Sequence, residues 1–243
     1  MNDNVIVKPR KPTTHLDTGD VVKSISRDRT RTNLLRKYEQ PVLAYLVQRI
    51  PSWISSNMLT AIGFSGSIIV FLSFIMAAFL HKNYLLLSVP GFIISWFGDS
   101  LDGRIAYFRN IPRKLYGFTL DITIDWLGII LIGSGFIVYA EGIWEILGYV
   151  FVVMYGWEMI IALMRYRITG KYSIDSGKFG PTEVRIIISA ILVAEVLFQN
   201  SIHYTSIIIG VILLIANISD TRKLLKIADT NDAAELGINR GRV

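Results

Sequence analysis

The chain has 243 residues, 52% of them hydrophobic, with 25 Lys and Arg against 19 Asp and Glu for a formal net charge of +6, and its mean hydropathy is +0.46. That much apolar residue points to one integral-membrane domain rather than a soluble one, so the basic excess is read as topology and contact with anionic headgroups, not as a nucleic-acid surface. There is no cysteine, which excludes disulfides, thiolate chemistry and Cys-ligated zinc.

Residues 1–29 are polar with scattered charge and no apolar run of the kind a signal peptide needs, and they are expected to form a loose cytoplasmic tail. Over residues 30–52, Leu34, Leu35, Tyr38, Val42, Leu43, Tyr45, Leu46 and Ile50 alternate with Arg31, Arg36, Lys37 and Arg49. This is the pattern of an amphipathic helix lying on a membrane surface or packed on its own domain, with Pro41 expected to kink it. Six apolar segments follow within residues 53–228: Met58–Leu80, Tyr84–Phe108, Tyr116–Ala140, Ile143–Leu163, Pro181–Phe198 and the core of a last one at Tyr204–Ile218. Most approach the roughly 20 residues that cross a bilayer as a helix. Asn57 or Ser56 is read as the cap of the first, and Pro181 as the start of the fifth, where its missing donor goes unused. A second polar tail, 229–243, completes an all-α membrane protein of six transmembrane helices behind a surface helix.

The linkers set the orientation. Of all the Lys and Arg residues, only Lys82 falls in the three links His81–Asn83, Glu141–Gly142 and Asn200–His203. The positive-inside rule then places both termini and the two basic links in the cytoplasm.

One of those basic links joins the second and third segments, and four carboxylates sit at its edges: Asp99, Asp102, Asp121 and Asp125. Charges in membrane segments are costly and are usually kept for function. Spacings of three and four put each pair on one helix face, and all four lie within roughly 15 Å of the link at 1.5 Å of rise per residue. Converging carboxylates repel unless a cation neutralises them. Oxygen ligands without His or Cys favour Mg²⁺, Mn²⁺ or Ca²⁺, and such ions suit chemistry at phosphorus. His15, His81 and His203 are scattered and form no ligand set.

The pattern DxxDGxxA followed by GxxxDxxxD, carried by Asp99, Asp102, Gly103, Ala106, Gly117, Asp121 and Asp125, resembles the signature of the CDP-alcohol phosphatidyltransferases. The resemblance implies a membrane enzyme of phospholipid or related lipid synthesis. Such an enzyme cleaves a CDP-alcohol (CDP-diacylglycerol, or a CDP-ethanolamine or CDP-choline type of donor) at its pyrophosphate, moves the phospho-alcohol part to an acceptor hydroxyl and releases CMP. It further implies one or two Mg²⁺ or Mn²⁺ ions on the four aspartates, with Asp125 as base for the acceptor hydroxyl. Gly103, Ala106 and Gly117 would accommodate the nucleotide, and Asn57 and Thr60 would border the cytidine. A homodimer in a bacterial inner membrane is implied as well. The chain departs from the family pattern at Tyr107, where Arg usually follows the Ala, and ten residues separate Ala106 from Gly117 instead of nine. Arg104 or Arg109 is the candidate for the missing charge.

The second basic link, RYRITGKYSIDSGKFGPTEVR, carries Arg165, Arg167, Lys171, Lys178 and Arg185 beside Asp175 and Glu183. Basic loops serve topology, but Arg185 falls inside the fifth segment, and with Arg109 and Lys178 it is a candidate for binding a phosphorylated acceptor or donor phosphate. The GPTE run resembles a motif of choline and ethanolamine phosphotransferases, which makes Glu183 a second candidate base. The competing reading is an ion-coupled transporter with carboxylates along a pathway. Against it, the aspartates crowd one edge and the outer halves of the segments are mostly apolar.

Overall fold

The computed structural model describes residues 18–25, 34–170 and 180–236, and among them every regular element is helical. Five helices are long and apolar enough to cross a membrane. They are α3 Ser56–Phe79, α4 Ser88–Phe108 with the 3₁₀ turn Lys82–Leu87 before it, α5 Lys114–Tyr139, α6 Glu145–Thr169 behind a turn at Gly142–Trp144, and α8 Ser201–Glu235. The remaining expected span is α7, Pro181–Leu197, whose 17 residues cover about 25 Å, a little short of the ~30 Å hydrocarbon core. The length of α8, 35 residues, exceeds a bilayer. The sequence boundary at 228 falls inside it, because Ala, Leu and Lys continue to favour helix beyond the apolar stretch. Residues 237–243 of the expected tail lie outside the described residues.

Two short helices precede the bundle. The sequence reading expects no element before residue 30, yet Thr18–Ile25 forms α1, and Val21 and Ile25, one turn apart, are buried. Two apolar residues at that spacing give a face wide enough to dock, although the surrounding composition is polar. The surface helix is α2, Arg36–Arg49, which begins later than expected and runs through Pro41 as one helix. Glu39, Leu43, Ala44 and Val47 are buried, while Leu34, Tyr38, Val42 and Tyr45 are exposed.

Two apolar clusters flank the middle of the bundle. One joins α1 and α2 to the start of α3 and the end of α4 through Val21, Ile25, Leu43, Val47, Leu59, Leu101 and Ile105. The other, at the opposite end, holds Val70, Phe74, Phe92, Ile132, Phe136 and Leu192. Where α3 and α4 cross between them, Gly63 and Gly98 remove the side chains. A Cβ on Gly63 would meet the backbone N of Asp99 at 3.0 Å, and one on Gly98 would collide with the backbone of Gly63. Small residues permit such close approach in membrane helices, and here it presses α3 against the first motif aspartate.

The helix ends are tied by polar groups. Ser55, rather than Asn57 or Ser56, caps α3, its hydroxyl accepting from Met58 N at 3.2 Å. The α4–α5 link turns at Asn110, whose φ of 57° is a left-handed conformation that Asn tolerates. Arg109 braces this link by donating to the carbonyls of Ile54 at 2.6 Å and Pro51 at 2.8 Å. At the other end, buried Glu195 of α7 accepts from Tyr139 OH, Asn200 N, Ser201 Oγ and Ile202 N, all within 3.2 Å. It thereby satisfies N–H groups at the start of α8 that the helix itself cannot pair.

Candidate active site

Two helical spacings create the site. Asp99 and Asp102 share a face of α4, Asp121 and Asp125 a face of α5, and the short link folds these faces together. One carboxylate oxygen from each of Asp99, Asp121 and Asp125 lies within 4.8 Å of the others, with Asp121 buried and the other two residues half-buried. At such separations like charges cost several kcal/mol unless neutralised; two of them 4 Å apart repel by about 4 kcal/mol at an effective dielectric near 20. A cluster of this geometry could hold a metal ion, and its oxygen-only donors suit a hard divalent cation.

Asp102 stands beside this trio and is held differently. Its Oδ2 accepts from Thr60 Oγ1 of α3 at 2.7 Å, and its Oδ1 accepts from the N–H of Gly103. From α7, Arg185 reaches into the cluster, with Nη2 2.9 Å from Asp99 Oδ2. The second guanidinium nitrogen, Nη1, is buried and has no hydrogen-bond partner. A buried donor left over from a bidentate group is suited to an anionic oxygen. All four aspartates, Arg185 and Tyr155 line one cleft, which encloses about 670 Å³ of empty space including its mouth. Its wall away from the aspartates is apolar and includes Ile132 and Ile188. The same two residues also line a second, almost wholly apolar cavity of about 610 Å³ among α3, α5, α6, α7 and α8.

Thr60 also lines this cleft, and the other sequence candidates among the described residues fall around it rather than in it. Asn57 is exposed and pairs with the motif's link, accepting from Arg113 Nη2 at 2.6 Å and donating to Tyr116 OH at 3.2 Å. Gly103 and Ala106 are half-buried on α4, and a Cβ on Gly117 would meet nothing within 4 Å, so space is open beside α5 one turn before Asp121. Arg109 is committed to the Ile54 and Pro51 carbonyls, and Arg104 is buried with Nη1 donating to the carbonyl of Ser100. Neither belongs to the cleft lining, and the guanidinium on the cluster is that of Arg185. Glu183 is buried at the first turn of α7. Its Oε1 accepts from Leu35 N at 2.8 Å and its Oε2 from Gly180 N at 3.0 Å, so it faces the N-terminal segment and is absent from the cleft lining. Lys178 lies outside the described residues.

Sequence reasoning missed Tyr155 and Glu39. Tyr155 projects from α6 into the cleft, and a lone tyrosine in an apolar span gives no periodic signal of its role. Glu39 is 6% exposed. Its signal was present, since it falls one turn before Leu43 on the face that packs inward.

A family model described as CDP-alcohol phosphatidyltransferase matches residues 53–216, a stretch from the start of α3 into α8 that contains all four aspartates and Arg185. No curated protein matches the chain.

Proposed function

The chain belongs to the CDP-alcohol phosphatidyltransferase family, and we propose that it is an integral-membrane phosphotransferase. It moves a phospho-alcohol group from a CDP-linked donor to an acceptor hydroxyl and releases CMP. The observation that carries this reading is the convergence of Asp99, Asp121 and Asp125 within 4.8 Å, beside a buried guanidinium with a spare donor. Asp99, Asp121 and Asp125, with Asp102 next to them, would hold one or two Mg²⁺ or Mn²⁺ ions, which supply neutralisation of the pyrophosphate charge when bound.

The chain's own groups take the remaining tasks. Arg185 Nη1 donates to a phosphate oxygen and helps orient the phosphorus. Asp125 accepts the proton of the acceptor hydroxyl as its oxygen forms the new bond to phosphorus. The bond from that phosphorus to the bridging oxygen breaks, and CMP leaves with that oxygen. Asn57, Thr60, Gly103, Ala106 and Gly117 border the nucleotide, with the open space at Gly117 giving room for it. Glu183, with both oxygens accepting from backbone N–H groups, holds α7 in place and leaves the base role to Asp125. The apolar cavity that shares Ile132 and Ile188 with the cleft supports a lipid as one of the two substrates, and the linker charges support a cytoplasmic site.

Purified protein incubated with CDP-diacylglycerol or CDP-ethanolamine and a panel of hydroxyl acceptors should release CMP in a reaction that chelation stops and Mg²⁺ or Mn²⁺ restores. Asp121→Asn and Asp125→Asn should each lower that release by about 100-fold or more. Release at the wild-type rate in both variants would overturn the assignment.

A further inference from the structure

The surface helix α2 is joined to both walls of the cleft by a carboxylate that the proposed reaction does not use. Glu39, in the first turn of α2, accepts through Oε1 from Trp96 Nε1 of α4 at 2.9 Å and from Thr182 Oγ1 of α7 at 3.0 Å, with Ser100 Oγ of α4 at 3.5 Å. A second tie lies alongside, where Glu183 of α7 accepts from Leu35 N just ahead of α2. Three helices therefore meet at one buried oxygen.

Their register connects that junction to the chemistry. Asp99 precedes Ser100 directly, and Arg185 follows Thr182 by three positions, which puts both on the same face of one α7 turn. The 2.9 Å contact of Arg185 with Asp99 thus spans the same gap between α4 and α7 that Glu39 bridges one turn away. An acceptor shared by donors on two helices fixes their separation. Without it, the indole N–H and the Thr182 hydroxyl lose their buried partner, and the helices shift until each finds another. We infer that Glu39 is a positioning residue that sets the separation of α4 and α7 and so places the Arg185 guanidinium on the aspartate cluster. The inference rests on the transferase reading for its kinetic part, and its structural part stands apart from that reading.

Two measurements test it. In a double-mutant cycle on CMP release, Glu39→Leu should move the same kinetic constant as Arg185→Ala by about 10- to 100-fold. The double variant should be no worse than Arg185→Ala alone, because residues acting through one another are not additive. Glu39→Gln keeps an acceptor oxygen for Trp96 and Thr182 and should stay within about threefold of wild type. Fully additive losses, or a Glu39→Leu enzyme with wild-type constants, would overturn the inference. The second measurement needs no activity. The chain lacks cysteine, so nitroxides on Ile93→Cys of α4 and Ile186→Cys of α7, both exposed, report the distance from α4 to α7 by dipolar EPR. The distribution should broaden or shift in Glu39→Leu and return in Glu39→Gln; an unchanged distribution would overturn the inference. Thr182→Val removes the α7 donor alone and should reproduce both effects where Glu39→Leu yields no folded protein. If wild-type protein released no CMP from any donor, the transferase reading would fail, and the EPR result would still decide what Glu39 does.

Discussion

Replacing Thr60 by Val tests how the fourth aspartate is held. Thr60 Oγ1 lies 2.7 Å from Asp102 Oδ2 and 3.2 Å from the carbonyl of Ser56. A hydroxyl has one proton, and the shorter contact to a charged acceptor takes it. Thr60 is only 8% exposed, so little water is at hand to replace the bond. Valine nearly matches threonine in shape, leaving no cavity, and the cost is that of one hydrogen bond to a charged group, about 1.5–3 kcal/mol. If the loss falls on the transition state, it corresponds to about a 10- to 150-fold decrease in kcat/KM. The assay is CMP release at a series of Mg²⁺ concentrations, with thermal unfolding in detergent as a fold control. Thr60→Ser should remain within about threefold of wild type, since it keeps the hydroxyl. Wild-type kcat/KM and metal dependence in Thr60→Val would refute the reasoning that the orientation of Asp102 matters to the site.

Three further expectations separate scaffold from site. Gly98→Ala places a methyl against the backbone of Gly63 and should destabilise the bundle by about 1–3 kcal/mol, seen as a lower melting temperature. Gly117→Ala, with open space around it, should leave melting unchanged while raising the KM for the CDP-alcohol donor; an unchanged KM would remove the nucleotide from that side of α5. Glu195→Gln puts an NH₂ among four donors and should cost about 2–3 kcal/mol of stability, with kcat per folded molecule preserved.

The bundle was legible because its signal is redundant. The first five apolar segments became helices within about six residues of their expected ends, while the last ran on to Glu235, and Pro181 began α7 where its missing donor predicts. The aspartate trio was legible for the same kind of reason, as spacings of three and four leave little choice of face. What the sequence hid depends on partners far along the chain. Ser55 and Asn57 are both plausible caps, and only the nearness of Arg113 and Tyr116 decides that Asn57 turns away from the helix end. Arg104 and Arg109 sit closest to Tyr107 in sequence, yet the guanidinium at the cluster comes from Arg185, about 80 residues later. α1 was missed because two buried side chains in a polar stretch carry little periodic signal.

The buried acids show why position in a membrane segment is not by itself a sign of chemistry. Glu39, Glu183 and Glu195 are as buried as Asp102 and Asp121, and on cost alone each would qualify as functional. They differ in what surrounds their oxygens. Glu183 and Glu195 face backbone N–H groups at helix starts, and Glu39 faces an indole and a hydroxyl. Such donors stabilise a carboxylate where it is. Asp99, Asp121 and Asp125 face one another, with the Arg185 guanidinium on Asp99, so three carboxylates meet one protein cation and a positive ligand is favoured in the cleft. Acids that converge on one another therefore mark a site in a way that a single buried acid does not, and that distinction needs the fold because it concerns the neighbours and not the residue.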